Sequence, residues 1–181
     1  AVLSTGDEVV EVWQQPGALQ IRNSNTISLA AQVELAGGEP VPLPNAPDHI
    51  HDLRMRVERG LQEDILVLSG GVSMGKYDLV EVVLREMGAT FAFDAVAIRP
   101  GKPAVFGTCN GRFFFGLPGN PVSTMVTFEL FVVPAIDMLS GALPRPLPAF
   151  KARLAAPVKQ KAALTHFLPA VVDWSSGEPV V

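Results

Sequence analysis

The sequence predicts an α/β protein: a three-layer α/β/α arrangement around a mostly parallel sheet, followed by a partial small β-domain. Three observations carry that expectation. Short β-branched and leucine runs, of which Ile65-Leu66-Val67-Leu68 is the clearest, stop at Gly-rich turns. Stretches with apolar residues near helical spacing alternate with them, which is the βα pattern of a sheet covered on both faces. Asn110-Gly111 then sits between two late strands as a two-residue hairpin turn, so part of the sheet is antiparallel.

Taken in order, Ala1 to Ser4 reads as the tail of a buried strand. From Asn25, the apolar residues Ile27, Ala30, Ala31 and Leu35 predict a helix that stops at Gly37-Gly38. Pro40 to Leu43 is a short strand candidate. Asp48 is placed to cap a helix running to Gly60, with Ile50, Leu53 and Val57 on its apolar face. Asp64 to Ser69 is the next strand, and Asp78 opens a helix from Leu79 to Met87. Phe93 to Ile98, Ala104 to Gly107 and Arg112 to Phe115 are further strands. Phe113-Phe114-Phe115 reads as core packing of a strand covered on both faces. Pro121 to Leu139 is a long helix that begins with proline, where a missing N–H costs nothing. Pro144, Pro146 and Pro148 form a stiff linker, after which Phe150 to Val158 and Phe167 to Trp174 read as strands. The expected division is 1–147 for the α/β/α domain and 148–181 for the incomplete β-domain.

The chemistry lies in the loops. Ser69-Gly70-Gly71-Val72-Ser73-Met74-Gly75-Lys76-Tyr77-Asp78 follows a buried strand, and glycines 70, 71 and 75 let the backbone approach a ligand closely. Such a turn at the end of a strand is a cradle for phosphate or polar groups, in the place where open α/β sheets bind ligands. Arg99-Pro100-Gly101-Lys102-Pro103 brings two cations onto a turn stiffened by prolines, and preorganised charge of that kind suits an anion site. Gly116-Leu117-Pro118-Gly119-Asn120-Pro121-Val122-Ser123 delivers a Pro-Gly turn into the long helix. Ser123 falls in its first turn, where free N–H groups and the dipole favour an oxyanion.

With Ser4-Thr5-Gly6-Asp7-Glu8 ahead of them, these motifs resemble the MoeA family of molybdopterin molybdenumtransferases, related to the E domain of gephyrin. The resemblance is strong over residues 1–147 and looser from 148 to 181. It implies a MogA-like molybdopterin-binding fold, and a larger protein with two domains before this region and a β-barrel-like domain after it. It implies adenylylated molybdopterin and molybdate as substrates, AMP as a product, and Mg2+ as cofactor. Glu8 and Asp78 are the implied catalytic residues, and Asp48 and Asp78 the magnesium-associated carboxylates. Asp7, Asn25, Ser69, Gly70, Gly71, Ser73, Gly75, Pro118, Gly119 and Asn120 would hold molybdopterin or AMP. Arg99, Lys102 and Ser123 would hold molybdate, with arginine standing where most relatives have lysine, a planar fork in place of a point charge. The family's Gly-Arg-x-x-Phe-x-Arg pattern is missing: anchored on Phe167, the chain has Ala163, Leu164 and Pro169 instead, and Lys161 or His166 are the other candidate donors.

Composition narrows the alternatives. A hydrophobic content of 48% is ample for a core, and 14 basic against 18 acidic residues, net charge −4, make no electrostatic case for nucleic acid or an anionic membrane surface. The lone Cys109 has no internal disulfide partner, and His49, His51 and His166 lack metal-site spacing. The expectation is a cytoplasmic protein without a membrane span, cut at both ends, inactive as this 181-residue piece and homodimeric when complete. The alternative is a noncatalytic pterin- or nucleotide-binding module, or a scaffold of the gephyrin type. CinA-like hydrolases share the Gly-Asp-Glu start but lack the combination of PGKP and GLPGNPVS.

Overall fold

The computed structural model of the protein describes residues 1–71, 78–159 and 163–181. A five-stranded sheet, in the order β1-β4-β8-β7-β5, forms its centre. Its strands are β1 (Val2–Ser4), β4 (Ile65–Ser69), β5 (Thr90–Phe93), β7 (Val105–Cys109) and β8 (Arg112–Leu117). β1, β4 and β8 are parallel, while β8-β7 and β7-β5 are antiparallel, so the sheet is mixed. The β7–β8 hairpin turns at Asn110 and Gly111, with φ of 50° and 76°, the positive values a tight two-residue turn demands.

Period-two alternation sorts the strand residues between two cores. Leu3, Leu66, Leu68 and Phe114 meet Leu53 and Val57 of α2 (Ile50–Gly60) and Val80, Val83 and Leu84 of α3 (Leu79–Glu86). On the other face, Val2, Val67, Phe115 and Leu117 meet Leu29 and Val33 of α1 (Ser24–Ala36). They also meet Phe128, Val132 and Ile136 of α4 (Pro121–Leu139). Helices thus cover both faces, giving the three layers. α4 is one 19-residue helix with a π turn over Phe128–Val132. Its length and apolar composition match a membrane span, but these three buried residues make it a core helix.

Several elements depart from the sequence-based expectations. Pro40 to Leu43 is not a strand. Prolines at 40, 42 and 44 remove ladder donors, and the segment is limited to a bridge between Val2 and Pro42 with flanking bonds at Val41 and Leu43. The apolar stretch from Phe93 to Ile98 is not one strand either. β5 ends at Phe93, where its pairing with β7 gives out after an irregular register, and β6 (Ile98–Arg99) belongs to another sheet. That second sheet pairs β6 with β9 (Thr165–His166) in parallel.

Phe150 to Val158 and Phe167 to Trp174 do not form strands. Bridges at Arg153, Asp173 and Val180 are what remains, and Phe150 and Trp174 are 60% and 59% exposed, so no core rewards longer pairing. A small parallel pair, β2 (Val9–Val10) with β3 (Ile21–Arg22), was not legible in the sequence, because its two-residue strands carry no periodicity.

Candidate functional site

Register places the site. Ser4 lies beside Ser69, and Ser69 beside Leu117, so three parallel strands end abreast. The loops that leave them, Thr5-Gly6, Gly70-Gly71 and Pro118-Gly119-Asn120, therefore converge at the carboxyl edge of the sheet. There they wall a cleft of about 580 Å³ that also takes in Glu8, the start of α1, Asp48 and Pro103. The loops touch closely: a Cβ on Gly119 would lie 3.5 Å from the Gly70 Cα, and one on Gly70, at φ 89°, would lie 2.9 Å from the Thr5 carbonyl oxygen.

Asn25 ties the walls together. Its Nδ2 donates to Ser69 Oγ at 2.7 Å and to the Gly119 carbonyl at 2.8 Å, joining the helix start to two of the loops. Asn23, the N-cap of α1, accepts from Thr26 N–H at 3.1 Å and from Ser4 Oγ at 2.9 Å. Asn120 caps α4 by accepting from the N–H groups of Val122 and Ser123. Thr5 Oγ1, Asn23 Nδ2 and Asn25 Oδ1 are buried in the cleft lining without a hydrogen-bond partner among the described residues. Buried polar atoms are normally satisfied, so a concentration of unpaired ones at one cleft points to a polar ligand.

One wall is acidic. Gly6, at φ 134°, lets the chain bend so that the Glu8 carboxylate folds over it; a Cβ there would sit 2.6 Å from Glu8 Oε2. Asp7 Oδ1 accepts the Asp48 N–H at 2.8 Å. Burial, with the charges of Asp7 and Glu8 adding to it, holds the Asp48 carboxyl above its usual range against the opposing Asp7 backbone amide. Asp48 is not the cap of α2, as its sequence position had led us to expect. His49 occupies that place without a side-chain bond, because Asp48 is turned toward the cleft.

Glu8, Asn25, Asp48, Ser69, Gly70, Gly71, Pro118, Gly119 and Asn120 thus come together on one cleft, with Asp7 behind Asp48. Ser73 and Gly75 lie outside the described residues, as does Lys161. Asp78 is not part of the lining; it caps α3 by accepting from Val80 N–H at 3.2 Å. Arg99 and Lys102 are exposed on a turn next to the cleft, closed by Val96 N–H to the Lys102 carbonyl at 2.8 Å. Gly101 seats this turn on α4, within van der Waals reach of Thr127, whose hydroxyl donates to the Ser123 carbonyl one turn earlier. Ser123 is 8% exposed.

Sequence reasoning passed over Thr5, Arg22 and Asn45. Asn45 Nδ2 donates to the carbonyls of Gly6 and Val9, holding the loop that carries Glu8. An isolated Asn or Thr carries no signal of its own; an Asn flanked by prolines is the nearest hint. Cys109 is buried, which pushes its thiol up and away from reactivity. No group of three or more His, Cys, Asp or Glu able to hold a metal is found among the described residues.

A cleft at the carboxyl ends of parallel strands, with glycine turns, two capped helix starts and unpaired buried donors and acceptors, defines a ligand-binding α/β domain. Comparison with known proteins gives the family. Residues 1–138 match the family described as a probable molybdopterin binding domain. The chain is 42% identical over 147 residues to a molybdopterin molybdenumtransferase of Nostoc sp., covering 78% of this chain and 33% of that protein. It is 35% identical over 176 residues to gephyrin of Dictyostelium discoideum, covering 78% of this chain and 24% of that protein. A MoeA protein of Pyrococcus horikoshii shares its structure with a TM-score of 0.75 at 31% identity, over 93% of this chain and 44% of that one. The chain belongs to the MoeA family of molybdopterin-binding domains. It spans less than half the length of each of these relatives.

Proposed function

We propose that this chain is the substrate-binding domain of a molybdopterin molybdenumtransferase, which takes adenylylated molybdopterin and molybdate and releases AMP as molybdenum is placed on the dithiolene. The observation that carries the reading is the cleft joined by Asn25, whose lining leaves Thr5 Oγ1, Asn23 Nδ2 and Asn25 Oδ1 for a polar ligand. The naming of its relatives supports the same substrate class.

In this reading the glycine turns at 70, 71 and 119 let the substrate approach the backbone, with Ser69, Pro118, Asn120, Ser73 and Gly75 completing the cradle. Asp7 holds the Asp48 backbone. Glu8, folded over Gly6 at the cleft, takes the proton of the water that cleaves the adenylate P–O bond, with AMP leaving. Arg99, Lys102 and Ser123 hold the tetrahedral molybdate while the two thiol sulfurs of the dithiolene bind molybdenum and one oxygen leaves as water, taking both thiol protons. Alignment and fixed charge are the protein's contribution.

Of the two implied carboxylates Asp48 is the one that lines the cleft, crowded by the charges of Asp7 and Glu8, and magnesium needs only one or two carboxylates beside water and phosphate oxygens. Asp48 and Asp78 are the residues proposed to hold it, and bound there it would neutralise the pyrophosphate. The complete protein is proposed to be cytoplasmic and homodimeric, with its other domains closing the cleft.

Asp78→Asn in the complete protein tests the reading. Asparagine caps a helix nearly as well as aspartate, so the thermal midpoint is expected to stay while magnesium-dependent AMP release is lost. Wild-type turnover by this variant would confine Asp78 to capping and remove it from the catalytic assignment.

A further inference from the structure

We infer that the start of α1 is an anion subsite of the cleft, shaped for a phosphate monoester held by Arg22, the Asn23 side-chain amide and the N–H groups of Ser24 and Asn25. The inference rests on the reading of this cleft as a substrate site and adds a second anion position to it, apart from the Arg99–Lys102 turn.

Three independent features meet there. α1 is 13 residues long and has no acidic residue in its first turn, so the positive end of its dipole is not compensated by its own side chains. Its cap, Asn23, is 2% exposed and lies in the cleft lining. The Asn23 Oδ1 is fully used by Ser4 and Thr26, yet Nδ2 has no partner among the described residues. A buried amide donor left unpaired is costly, and an anionic oxygen is the acceptor that would repay it most strongly. Arg22 is the third feature. It is exposed in the cleft lining, forms no ion pair among the described residues, and reaches Gln15 Oε1 only at 3.5 Å.

The β2–β3 pairing fixes where Arg22 stands. Val10 lies opposite it, and Asn23 N–H donates to the Val10 carbonyl at 2.8 Å. The other wall carries Glu8 and Asp48 with Asp7 behind, so the cleft is polarised, and a phosphate dianion is driven toward α1 and away from those carboxylates.

The test is amide NMR of the chain titrated with AMP, with glycerol 3-phosphate and with adenosine. A shift of the Ser24 and Asn25 amides by AMP assigns the subsite to a nucleotide phosphate. A shift by glycerol 3-phosphate alone assigns it to a non-nucleotide phosphomonoester. Adenosine is expected to leave both amides in place. Arg22→Gln, an exposed change, is expected to weaken the phosphate probe about fivefold or more. Asn23→Asp keeps both acceptor bonds of the cap but turns the donor into a carboxylate oxygen; it is expected to weaken the probe about tenfold or more without lowering the thermal midpoint.

Molybdate affinity separates this inference from the transferase reading. Arg22→Gln is expected to leave it at the wild-type value. Intact phosphate binding without any molybdate binding would support the subsite and count against the transferase. If neither phosphate probe moves the two amides, or if Arg22→Gln and Asn23→Asp both bind them like wild type, the subsite is overturned.

Discussion

Gly101→Ala is expected to lower molybdate affinity by about tenfold or more, although the substitution adds one methyl group and removes no charge. Gly101 has φ 109°, a conformation L side chains rarely adopt, and a Cβ there would lie 2.6 Å from Thr127 Cγ2 and 2.9 Å from Ile98 Cδ1. The strain is on the order of 1–3 kcal/mol, and the turn relieves it by lifting away from α4. That movement is expected to shift Arg99 and Lys102 relative to Ser123, which sits one helical turn before Thr127 and is linked to it through the Thr127 hydroxyl. Lys102→Ala provides the control. Losing one charge-assisted contact costs about 1.5–3 kcal/mol, or roughly 10- to 150-fold in Kd, and less where solvent screens it. Titration calorimetry at fixed ionic strength reads both variants. Wild-type affinity in both would place the oxyanion elsewhere.

Phe114→Ala is expected to destabilise the fold by about 3–5 kcal/mol while leaving the cleft residues untouched. Phe114 is 0% exposed in β8, the middle strand of the sheet, and packs on the α2/α3 face among Leu66, Leu68 and Val105. Its ring meets Phe91 edge-on at 5.2 Å and occupies the space a side chain at Gly107 would need, since a Cβ there would lie 2.6 Å from its Cζ. Alanine leaves a cavity bounded by two strands and two helices, which cannot collapse together to fill it. Urea unfolding measures the loss; a value under about 1.5 kcal/mol would mean that this layer is packed differently.

The parts of the fold legible in the sequence were those where local chemistry and tertiary context agree. Ile65 to Ser69, the Asn110-Gly111 turn, the Gly37 stop of α1 and the Asp78 cap of α3 each carry their own signal and stand where it placed them. The illegible parts depend on what lies opposite. Phe93 to Ile98 has the residues of a strand, but only its two ends are paired, Phe93 with β7 and Ile98 with β9. Phe150 to Val158 and Phe167 to Trp174 have strand-like residues with no core to cover. At the site, the glycine turns and the prolines announced themselves, because special backbone conformations restrict the residue types that can occupy them. Asn45 and Arg22 did not, since their importance arises from the loops and the helix end they face rather than from any neighbour in sequence. The cap reading of Asp48 failed for a related reason: an Asp before a helix resembles a cap until the structure shows what its side chain faces.

Molybdate is expected to bind this family member beside the cleft, on the turn that Gly101 seats against α4. Crystals soaked in tungstate, an ion of nearly the same size and charge, test it most directly through the anomalous signal of the metal. One strong peak is expected within hydrogen-bonding reach of Arg99, Lys102 and Ser123. A peak at another position, or none at a tungstate concentration that saturates the protein in solution, would contradict it.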